Sequence, residues 1–84
     1  MPKLPRDLSG RGLATLLKKY GYEITRQTGS HIRLTFTQGT VEHHITIPAH
    51  SPLRIGTLGN ILRDVSEGLK RDRESFIEEL FKNY

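Results

Sequence analysis

The chain has 84 residues, no cysteine and a formal net charge of +4. That length suits one small domain over residues 1–84. The lack of cysteine excludes a disulfide framework and thiolate metal sites, and no apolar run approaches the roughly 20 residues that span a bilayer.

Taken in chain order, Ser9 is placed to cap a first helix with the apolar stripe Leu13, Leu16, Leu17 and Tyr20. Lys18 and Lys19 fall in its last turn, and Gly21 ends it. The period then changes to two. Tyr22 and Ile24, then Ile32, Leu34 and Phe36, then Val41, His43, Ile45 and Ile47 alternate with polar residues, which predicts three half-buried strands. Pro48 closes the third. Gly56-Thr57 opens a second helix, with Thr57 as its expected cap and Leu58, Ile61, Leu62 and Val65 as its stripe. Gly59 inside it costs about 1 kcal/mol relative to alanine. Ser66 to Arg71 reads as a polar connection, and a third helix starts near Asp72 with Phe76, Ile77, Leu80 and Phe81. The order α-β-β-β-α-α makes an α+β two-layer domain with a three-stranded antiparallel sheet. Its first five elements, α-β-β-β-α, also have the order of the double-stranded-RNA-binding fold.

Turn lengths set an expected register. A three-residue turn at Thr28-Gly29-Ser30 puts Ile24 opposite Leu34 and Gln27 opposite His31. A two-residue turn at Gln38-Gly39 puts Phe36 opposite Val41, Leu34 opposite His43 and Ile32 opposite Ile45. Both keep the aliphatic side chains on one face. His31 then faces Thr46, with His44 as its diagonal neighbour at about 7–8 Å on the polar face.

The charge is unevenly spread. Only Asp7 and Glu23 are acidic in the first 41 residues, whereas five of the nine acidic residues lie between Glu67 and Glu79. A basic amino-terminal half suits a polyanion, and RNA is the abundant one in the cytoplasm, the expected compartment of a chain without a secretory leader. Arg6, Arg11, Lys18, Lys19, Arg26, Arg33 and Arg54 are candidate phosphate contacts. His31 on the polar face is either a solvated strand histidine or a general base, a role suited to a side chain with a pKa of about 6.5. The predicted register offers His44 as a second acid–base group beside it. Gly29 supplies the turn by admitting a left-handed backbone, and Ser30 adds a hydroxyl and an amide that suit a phosphate. His50 either orders its loop or contacts RNA. Tyr22 and His43 belong to the core side. His43 and His44 face opposite ways as strand neighbours, so no closed ligand set emerges and neither metal nor cofactor is expected.

"LPRDLSGRGLATLLKKYGYEITRQTGSHIRL", "ITIPAH" and "GTLGNIL", in this order and spacing, resemble the HicA (YcfA-like) toxin family over about residues 4–65. The most specific parts are Gly21-Tyr22, Gly29-Ser30-His31, Pro48-x-His50, Gly56-Thr57-Leu58 and Ile61-Leu62. The resemblance implies a double-stranded-RNA-binding-like protein that cleaves messenger RNA without a metal and blocks translation. The catalytic histidine of the family's Gly-Ser-His motif falls on His31, and a HicB antitoxin covers the active surface. The chain departs from the family at Gly59, where a polar or basic residue is common, and in the longer, more charged "SEGLKRDRESF" before its last helix, expected at about 72–82. The same features also fit a non-catalytic RNA-binding module, or a protein-interaction module using its acidic last helix.

Overall fold

The computed structural model describes residues 4–82 and 84. Its order is α1 (Gly10–Leu17), a 3₁₀ turn (Lys18–Tyr20), β1 (Tyr22–Gln27), β2 (His31–Gln38), β3 (Val41–Pro48), α2 (Ile55–Gly68) and α3 (Arg73–Leu80). The sheet is antiparallel in the order β1-β2-β3. The α+β architecture and the element order agree with the sequence pattern.

Ser9 caps α1 by accepting a hydrogen bond from the Gly12 amide at 2.9 Å. Leu13, Ala14 and Leu17 are buried, and Gly21 ends the 3₁₀ turn with φ 98°, where a Cβ would be strained. Ile32, Leu34, Ile45 and Ile47 present one face of the sheet to the helix layer and share one buried core with Leu58, Leu62, Val65, Phe76 and Ile77. The other face stays open: His31, Arg33, His44 and Thr46 are all exposed. Tyr22 is 1% exposed, and its hydroxyl meets His43 Nδ1 at 2.6 Å. Burial pushes this hydroxyl up to about 12.

The helix ends correct two expectations. α2 begins at Ile55 with Arg54 in the cap position, so Thr57 lies inside the helix rather than capping it; no side chain caps this end. α2 also continues through Ser66–Gly68 instead of breaking there. Ser66 is buried and donates its hydroxyl to the Arg63 carbonyl at 2.9 Å, and Gly68 packs against the His43 ring so closely that a Cβ would lie 2.6 Å from Nδ1. The small residues that resemble a breaker are therefore a contact surface. α3 does start after Asp72, whose carboxylate accepts from the Ser75 amide at 3.0 Å.

The strand registers correct two more. β1 and β2 pair as expected through Ile24↔Leu34, but a bulge between Ile24 and Arg26 shifts the rest to Arg26↔Arg33 and Gln27↔Ile32. Gln27 therefore does not face His31. β3 is displaced by two residues, with Gln38↔Val41, Phe36↔His43, Leu34↔Ile45 and Ile32↔Ile47. The hairpin turn is Gly39-Thr40, with Gly39 at φ 62° in its first central position. A two-residue turn with a single positive φ there takes glycine first. A slip of two preserves every side-chain face, so hydrophobic alternation alone does not distinguish the two registers.

Candidate active site

One end of the open face collects the chemistry. His31 opens β2 and lies opposite Pro48, the last residue of β3. Beyond this pair, the Ala49 amide donates to the Ser30 carbonyl at 2.9 Å and closes the sheet end. The Ser30 hydroxyl lies 3.0 Å from His31 Nδ1. Two residues on, Arg33 points to the same face, with Arg26 directly across from it. The bulge puts Arg26 there. Strict alternation from Tyr22 and Ile24 would have turned Arg26 under the helices, where a lone guanidinium lacks a counter-charge. Thr25, the bulged residue, instead bonds Thr35 across the open face at 3.0 Å.

α1 brings its N-terminus to this end. Gly10 donates to the His50 carbonyl at 2.9 Å, and a Cβ on Gly10 would overlap the Pro48 carbonyl oxygen. With the Gln27 amide turned so that its oxygen faces the guanidinium, Arg11 donates to it at 2.7 and 2.9 Å. Arg11 thus sits beside the end of β1. The loop-ordering bond at His50 comes from its carbonyl rather than from its ring.

A family model described as the HicA toxin of bacterial toxin–antitoxin systems matches residues 10–66, about two-thirds of the chain. The chain belongs to the HicA toxin family. No curated protein and no solved structure matches it. Membership makes it the toxin of a toxin–antitoxin system and implies an antitoxin partner. Among the described residues, no helix is long and apolar enough to cross a membrane.

In this HicA chain the structure gathers His31, Ser30, Arg33, Arg26, Arg11 and His50 at one end, and it disperses the rest. Lys18 and Lys19 lie at the far end of α1, past a helix about 12 Å long. Arg6 and Arg54 are exposed in the segments before α1 and α2. His44 does not adjoin His31. It stands opposite Thr35, bonds that hydroxyl through Nδ1 at 2.9 Å and lies 3.7 Å from Glu42. Four residues separate it from Pro48, the partner of His31, which is about 13 Å along the strand. The proximity that suggested an acid–base pair is absent. Nor is Gly29 in the left-handed region, and a Cβ there would meet nothing within 4 Å. The turn itself does not require this glycine. Among the described residues, no three His, Asp or Glu side chains gather as metal ligands do. Sequence reasoning missed the Arg26–Arg33 pairing; the signal available was an arginine at an inward parity position on β1.

Proposed function

We propose that this HicA chain is an endoribonuclease that cuts messenger RNA without a metal and so blocks translation, with His31 as general base. The observation that carries the reading is His31 itself: exposed at the sheet end, its Nδ1 against the Ser30 hydroxyl, two arginines on the same face. When Nδ1–H donates to Ser30, the proton is fixed on that nitrogen and the Nε2 lone pair is left to work. Nε2 takes the proton of the attacking hydroxyl, from the ribose or from water, as its oxygen bonds to phosphorus. The bond to the departing ribose oxygen breaks, and that oxygen leaves with a proton from water or from the imidazolium. Arg33 and Arg26 hold the phosphate and offset the charge that grows on its oxygens. The β-sheet face with its helix-backed layer, in the order of double-stranded-RNA-binding domains, gives a rigid platform for these groups. A HicB-like antitoxin is the partner that silences the toxin by covering this face.

Cleavage of a long single-stranded RNA in EDTA tests the reading, wild type beside His31→Ala, with circular dichroism verifying both folds. The expected loss in the variant is about a hundred- to ten-thousand-fold, the range a positioned acid–base group contributes. Equal RNA binding with no cutting by either protein would make the chain a binding module instead.

A further inference from the structure

A second basic site lies in the helix layer. The stripe Gly56, Gly59, Asn60 and Arg63 has the spacing of one helix face and is turned away from the buried stripe of α2. With Arg73 of α3 it lines a cleft over an apolar floor of Leu4, Ile55 and Ile77. Arg73 lies across α2 at Gly59, where a Cβ would come 3.7 Å from Nη2. Its Nε is out of reach of solvent and, among the described residues, has no hydrogen-bond partner. A buried N–H of a cation without an acceptor is costly, and the residues lining the cleft include two guanidinium groups, one amide and no carboxylate. An anion entering the cleft would meet the terminal guanidinium nitrogens of Arg63 and Arg73, with no carboxylate among the lining residues to oppose it. At Gly56 a Cβ would meet nothing within 4 Å, so the main chain is open to close approach.

The cleft extends toward the segment that precedes α1. A groove lined by Leu4, Arg6, Asp7 and Ile55 shares two residues with it. Beside that groove the Leu53 amide donates to the Leu8 carbonyl at 2.8 Å. Next along the same segments come the Gly10–His50 bond and, across the loop, the Ala49–Ser30 bond. We propose that the cleft binds one nucleotide unit of the RNA strand, a site remote from His31. Its phosphate is held by Arg63 and Arg73, and its ribose or base lies over Leu4, Ile55 and Ile77. The identity of the strand rests on the ribonuclease reading; the preference for an anion does not. Guanidinium forks match phosphate oxygens in pairs, and the apolar floor gives a ribose or base a surface that a bare anion does not use.

The test uses the full chain carrying His31→Ala, labelled with nitrogen-15, so that bound RNA stays intact. Uridine monophosphate and a short single-stranded oligoribonucleotide are titrated separately, beside an acidic peptide of matched charge. The expected result is saturable movement of the Arg73 Nε–H and of the Gly56 and Gly59 amides with both nucleotide probes. Arg63→Gln and Asn60→Glu, both at exposed positions, abolish it. In the otherwise native chain these two variants raise KM for RNA cleavage about tenfold and leave kcat unchanged. Cleft resonances that stay still with the oligonucleotide while those of Arg26 and Arg33 move would overturn the proposal. So would movement with the acidic peptide alone, which would make the cleft a protein-docking site. Movement with RNA in a protein that never cuts RNA supports the cleft and removes the ribonuclease reading.

Discussion

Arg26 and Arg33 are direct cross-strand partners on the open face of the sheet. Like charges opposite each other destabilise a strand pair, and a structural role would call for an acid or a threonine at one of the two positions. The bulge at Thr25 adds to the oddity, because it interrupts the ladder to bring the second arginine out. Replacing one of them separates the two costs. Arg26→Thr is expected to raise the stability of the free protein by a few tenths of a kcal/mol, read from urea denaturation. It should also weaken RNA binding and flatten its log–log dependence on salt by about 0.7, the contribution of one phosphate contact on a single strand. An unchanged salt slope would leave Arg26 without a phosphate.

Two glycines at the same end make opposite predictions. Gly10 lies where α1 meets the Pro48 carbonyl, so Gly10→Ala must push the helix from the sheet end. The expected cost is about 1–3 kcal/mol in a denaturation experiment, as for other overpacked contacts. Gly29 has neither a left-handed φ nor a neighbour within 4 Å of a Cβ. Gly29→Ala is expected to keep or raise stability, by up to about 1 kcal/mol through the unfolded chain. Lost RNA cleavage in that variant, with the fold intact, would mean that the strand passes close to the turn beside His31.

The sequence carried the element order because each element keeps its own period and punctuation. Ser9, Gly21, Pro48 and Asp72 all mark ends that the structure uses. What it did not carry was anything invariant to face. A two-residue slip between β2 and β3 leaves Ile32, Leu34, Ile45 and Ile47 inside, yet moves His44 from the neighbourhood of His31 to Thr35 and Glu42. Likewise, "SEGL" contains the residues of a loop, yet a buried Ser66 bonded to the Arg63 carbonyl and a Gly68 packed on the His43 ring belong to the helix. Resemblance singled out His31 and strand parity put Arg33 on its face; the bulge that brings Arg26 across from Arg33 is seen only in the structure. His44→Ala is accordingly expected to cut RNA at the wild-type rate, measured on the same substrate as His31→Ala.

The Tyr22–His43 pair supplies a pH dependence. Burial raises the Tyr22 hydroxyl from 10.0 to about 12. Between these values the folded protein keeps a proton that the unfolded chain has released. The contribution to stability is therefore fully present below about pH 10 and lost as pH rises through about 12. Tyr22→Phe is expected to remove this part of the alkaline slope, seen as the difference between the two proteins' urea midpoints across that range. At neutral pH the same variant leaves His43 Nδ1 without its 2.6 Å partner and should lose about 1–3 kcal/mol. Parallel alkaline slopes would show that Tyr22 ionises no later in the fold than outside it.

Ser30 and His31 give the sharpest test of the proposed chemistry, because the 3.0 Å contact between them tethers the ring and, when the hydroxyl accepts from Nδ1–H, leaves the Nε2 lone pair free. Without the hydroxyl, the ring can rotate and place its proton on either nitrogen, so that only part of the population offers the Nε2 lone pair to the nucleophile. The worth of one such bond, about 0.5–1.5 kcal/mol, corresponds to about a two- to tenfold fall in cleavage. Ser30→Ala should show that fall in kcat, with KM and the unfolding midpoint unchanged, while Ser30→Thr, which keeps the hydroxyl, should recover most of it. A loss confined to KM would assign the hydroxyl to the RNA instead. A loss matched by a lower unfolding midpoint would assign it to the turn, whose backbone is already held by the Ser30 carbonyl and the Ala49 amide.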